Sequence, residues 1–93
     1  MNPQELTQIL ESEDLPRILK NISKSDFSSQ FQQLPREIQT KAIERMKPYF
    51  KNYELLDQGI DKLDSYTPED KTKVLGVAYE VLIQVKPAKK KVL

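Results

Sequence analysis

The chain of 93 residues contains no Cys, no His, no Trp and only two Gly. Each absence excludes a chemistry. Without Cys there is no disulfide framework, zinc-thiolate site, iron–sulfur ligation or thiol nucleophile. Without His there is no imidazole base, no Ser-His-Asp triad and no imidazole metal ligand. Two isolated glycines, Gly59 and Gly76, cannot build a phosphate-cradling loop. No apolar run reaches the ~18 residues of a membrane span. The start, Met1-Asn2-Pro3-Gln4-Glu5, lacks the basic and apolar regions of a signal peptide. These features set the expectation of a cytoplasmic protein with no cofactor and no metal. Paired carboxylates remain for acid–base work, but they fall on an open helical pattern with nothing to shift their pKa values. The expectation is a protein that is not an enzyme.

What is present is helical. Hydrophobic residues make up 38% and charged residues 31%, polar for a globular domain but not a disordered composition. Proline punctuates the chain at 3, 16, 35, 48, 68 and 87. Pro3, Pro35 and Pro68 are each followed by an acid within two residues. Proline suits the first helical turn, where its missing N–H costs nothing, and an acid there meets the positive end of the helix dipole. Asn2 and Thr67 are candidate caps, Asn2 with Glu5 forming a capping-box pattern. Ser25-Asp26 and Asn52 are read as two further helix starts. Leu34 is a poor cap for the helix at Pro35.

Apolar spacing between these marks follows one helical face at a time. The stripes are Leu6/Ile9/Leu10, Leu15/Ile18/Leu19/Ile22, Phe27/Phe31/Leu34, Ile38/Ala42/Ile43/Met46 and Leu56/Ile60/Leu63. Pro48 is expected to end or kink the fourth near Lys47. Residues 79–85 also alternate like a strand. Helix is the better reading, because the Thr67-Pro68-Glu69-Asp70 start is strong and no second strand exists to pair with. The predicted fold is all-α, a compact bundle of five to six short helices over 1–86, with a disordered basic tail at 87–93. The alternative is an array of helical hairpins, since the Pro-x-acid starts lie 32 and 33 residues apart.

Charge is segregated although the net is only +1. Residues 1–14 carry four acids and no base; 15–51 carry eight bases and three acids. Residues 52–70 carry one base and six acids; 71–93 carry six bases and one acid. Such alternation either packs opposite signs side by side within the chain or leaves charged docking faces.

Three candidate surfaces follow. Glu54, Asp57, Asp61 and Asp64 share one helix face, at spacings of 3, 4 and 3, as a strip for a basic partner or as a plain solvated face. Lys86, Lys89, Lys90 and Lys91 form a weak polyanion-binding run. In the last helix, Val74, Val77, Ala78, Val81, Leu82 and Val85 are read as the core face, and Tyr79 and Ile83 fall outside it. That apolar arc is broader than one packing face needs. Tyr79 and Ile83 are therefore candidate partner-binding residues, a homodimer being one outcome. The expected function is a small protein-interaction module, adaptor or regulator that binds another protein. A nucleic-acid-associated regulator using 15–51 and the Lys tail is the alternative, and the pI near 7.9 speaks against it.

Overall fold

A computed structural model describes residues 3–84. Among these there are six α-helices and no strand: α1 Pro3–Leu10, α2 Leu15–Leu19, α3 Lys24–Gln32, α4 Arg36–Met46, α5 Glu54–Ile60 and α6 Pro68–Gln84. Two 3-10 turns, Lys47–Phe50 and Leu63–Ser65, follow α4 and α5. The all-α bundle expected from the apolar spacing is the fold. The Asn2 cap and the tail with Lys86, Lys89, Lys90 and Lys91 lie outside the described residues.

Local chemistry sets the helix ends. Pro3 and Pro68 open α1 and α6, with Glu5, Glu69 and Asp70 in their first turns. Thr67 caps α6, its hydroxyl accepting from the Asp70 N–H at 3.2 Å. Two expected caps are corrected. Ser23, not Ser25, caps α3, its hydroxyl taking the Asp26 N–H at 3.0 Å. The reason is the three-residue reach of a cap side chain, which needs its acceptor ahead of Lys24. Asn52 is likewise displaced: Tyr53 stands before α5 with no side-chain cap bond. No side chain caps α4 at Pro35; Gln39 Nε2 instead donates to the carbonyls of Phe31 and Leu34 at 3.1 and 3.0 Å, closing the end of α3 against α4. Pro48 turns the end of α4 into a 3-10 turn, as the loss of one backbone donor requires.

The core gathers Leu6 and Leu10 from α1, Leu15 and Leu19 from α2, Phe27 and Phe31 from α3, and Met46 from α4. Phe50, Ile60 and Leu63 close one end, and Leu75, Ala78 and Leu82 supply α6. Phe27 sits between two rings, 5.9 Å from Phe31 and 5.7 Å from Tyr79 by centroid, both tilted, a geometry aromatic pairs favour. α6 is the central helix. It packs most extensively on α3 and also on α2 and α5. A hairpin array touches only sequential neighbours; the packing of α6 on α2 makes this a closed bundle. The 32-residue spacing survives only as element order, a helix followed by a short proline-bearing helix, in α1–α2 and again in α4 with its 3-10 turn.

The core face of α6 differs from the expected one. Tyr79 is 8% exposed and Val77 is 50% exposed. An arc that is apolar over most of its circumference allows several centres. Leu75, Ala78 and Leu82 fix the actual one, and Tyr79 lies on their side.

Candidate functional site

The charge blocks meet inside the molecule. Lys47, at the start of its 3-10 turn, reaches across to α5. Its ammonium lies 3.2 Å from Asp57 Oδ1 and 2.5 Å from Asp61 Oδ2, and donates to the Asp57 carbonyl at 3.2 Å. Arg36 Nε donates to Asp64 Oδ2 at 2.8 Å. Gln58 Nε2 donates to Glu54 at 3.3 Å. All four residues of the expected acidic strip therefore have partners within the chain. The Asp61 hydrogen bond is the main cause that raises the Lys47 pKa; partial desolvation opposes it, and Asp57 adds to it. Like-charge repulsion along the strip, the reason to suspect a docking role, is relieved by two cations from the neighbouring block.

Other bases of the block are also engaged. Arg17 pairs with Asp14 at 2.8 Å, and Lys24 with Glu80 at 2.6 Å. Arg45 Nε and Nη2 donate to the carbonyls of Leu10 and Glu11, at 3.0 and 2.6 Å. These are carbonyls at the end of α1, where a guanidinium meets both the unpaired acceptors and the negative end of the dipole. No group of three or more Asp or Glu able to hold a metal occurs among the described residues. No helix there is long and apolar enough to cross a membrane.

Tyr79 does not present its ring to a partner. The ring packs on Phe27, and its hydroxyl donates to the Ile22 carbonyl in a buried hydrogen bond. This corrects the expectation that Tyr79 forms a docking patch: an amphipathic side chain buried with its polar tip satisfied belongs to the core. Ile83 is half-buried against the same core. Large hydrophobics that are exposed include Val77 and, on α5, Leu55 at 87%.

A broad concavity lies elsewhere, between α3 and α6. It is a groove of about 720 Å³ lined by Lys24, Ser25, Ser28, Ser29, Gln32, Thr72, Lys73, Gly76, Val77 and Glu80. The two helices run antiparallel along it, since the start of α3 meets the end of α6 and the reverse. Lys24–Glu80 spans one end. Gln32 Nε2, donating to Thr72 Oγ1 at 3.0 Å, spans the other. Small side chains keep the walls low, and Gly76 is covered only by the methylenes of Lys24, 3.4 Å from where a Cβ would stand. Ser28 is 3% exposed and accepts from Gln32 at 3.2 Å. No protein-family model, curated protein or solved structure matches the chain. The groove is thus read from its own chemistry.

Sequence reasoning did not single out this groove. Ser25, Ser28, Ser29 and Gly76 make no apolar stripe, and hydropathy passes over them. The available signal was negative: a glycine in the middle of an otherwise strongly apolar helix costs about 1 kcal/mol against alanine.

Proposed function

We propose that the protein is a non-enzymatic interaction module, an adaptor or regulator, that takes a helix of a protein partner into the α3–α6 groove. The observation that supports this reading is the shape and chemistry of the groove. Ser25, Ser28, Ser29, Thr72 and Gly76 floor a trough about two turns long that Lys24, Gln32, Lys73 and Glu80 rim, and Val77 in its lining is half exposed. Packed helices lie about 8–10 Å apart, towards the lower end where the side chains between them are small. An apolar residue beside such a trough gives an incoming helix something to bury.

The test is site-specific photo-crosslinking in the source cells. A benzoylphenylalanine at Val77 is compared with one at Glu37, an exposed position on α4. The expected result is a discrete protein adduct at Val77 that is missing at Glu37. Identical adduct patterns at the two positions would overturn the reading.

A further inference from the structure

We infer that the occupant of the α3–α6 groove is α6 of a second copy of this chain, crossing antiparallel about a two-fold axis between Gly76 and Val77. The inference rests on the reading of the groove as a helix-binding site and names its partner. Its basis is charge register. Lys73 and Glu80 both line the groove, and the point midway between them in sequence lies between Gly76 and Val77. Each charge therefore stands about 5 Å along the helix from that point, on opposite sides. A two-fold axis there sets Lys73 of one copy against Glu80 of the other, twice. The same operation sets Gly76 against Val77.

A two-fold interface must be self-complementary, each patch meeting itself, and this patch is. The Glu80 carboxylate pairs with Lys24 in its own chain but its side chain stays 51% exposed, which leaves room for a second cation. Val77 is 50% exposed and lies next to the axis, where the partner's copy of it stands close by, while the methylenes of Lys24 cover Gly76. α3 and α6 from the two copies then form a four-helix arrangement, a geometry in which helices pack through small and apolar ridges.

The experiment is sedimentation of the full chain and of two charge reversals, Lys73→Glu and Glu80→Lys. The register predicts that the wild type dimerises and that each variant alone dissociates about tenfold or more readily. Mixing the two variants restores the dimer, because each acid again faces a base. Circular dichroism checks that both variants fold. The Lys24→Gln/Glu80→Lys double variant removes the new clash with Lys24 if Glu80→Lys alone unfolds. A wild type that stays monomeric at millimolar concentration overturns the inference, as does a dimer indifferent to either reversal. A Val77 crosslink to a different protein, with a monomeric wild type, overturns the second copy and leaves the groove reading standing.

Discussion

Replacing Tyr79 with Phe isolates one buried hydrogen bond at the centre of the fold. The substitution keeps the ring against Phe27 and removes only the hydroxyl that donates to the Ile22 carbonyl. Ile22 lies in the chain between α2 and α3, so this bond ties α6 to the junction of its two main neighbours. A buried carbonyl left without its donor costs about 1–3 kcal/mol. For a domain of this size each kcal/mol lowers Tm by about 4–8 °C. A mid-range cost of about 2 kcal/mol therefore lowers Tm by about 8–16 °C. The assay is thermal unfolding by circular dichroism at fixed protein concentration, repeated at a tenfold dilution to separate folding from association. Tyr79→Ala adds the loss of a buried ring, about 3–5 kcal/mol for large aromatic truncations. That approaches the whole stability of a small domain, about 5–15 kcal/mol. A Tyr79→Ala/Ile83→Ala variant thus reports unfolding, not dissociation. A Tyr79→Phe protein melting within about 2 °C of the wild type would refute the argument that the hydroxyl holds α6 to the α2–α3 junction.

Two further predictions test the corrected cap and the charged cluster. Ser23→Ala is expected to destabilise by about 1 kcal/mol, whereas Ser25→Ala, exposed and not capping, stays within about 0.5 kcal/mol; urea midpoints of the two variants compare them directly, and equal shifts would contradict the Ser23 cap. The raised pKa of Lys47 gives an alkaline effect. Because the folded state holds this proton more tightly, the stabilisation is complete below the ordinary lysine value near 10.5 and fades as pH rises through the higher folded value. Asp61→Asn removes the largest cause, so the difference in urea midpoint between wild type and variant is expected to shrink above about pH 10.5. A difference that grows with pH there would contradict the assigned sign.

Helix existence was readable from the sequence because apolar spacing marks each element and several carry their own start signal. Thr67-Pro68-Glu69-Asp70 states a start in four successive residues, the Thr67 hydroxyl taking the Asp70 N–H, and the structure uses them as written. The facing of α6 was not readable. Its arc is apolar over too much of the circumference for periodicity to choose a centre. What chooses it is tertiary: Phe27 for the Tyr79 ring and the Ile22 carbonyl for its hydroxyl, each more than fifty residues away in sequence. The Ser23 cap was missed for a smaller reason. Ser23 and Ser25 are both cap formers two residues apart, and local preference does not separate them.

The alternating charge blocks are where sequence and structure inform each other most. Lys24–Glu80, Arg36–Asp64 and Arg17–Asp14 are largely exposed pairs, and such pairs contribute only about 0–1 kcal/mol each. Their sum does not explain why this bundle is stable; the apolar core does that. What they supply is discrimination. Arg36 selects Asp64, and Lys47 selects Asp57 and Asp61, so the block 15–51 faces the block 52–70 in one register, and a slipped packing would set like charges together. Lys73 stands outside these pairs, as Lys20, Lys41 and Lys51 also do; it lies in the groove on the same helix as Glu80, seven residues away and too far along α6 for the two to meet. Within the chain Glu80 takes its register from Lys24; Lys73 has no such pair, and about the proposed two-fold it and Glu80 carry a further register. They specify it between two chains, by the same logic of small energies used for selection that the rest of the chain applies internally.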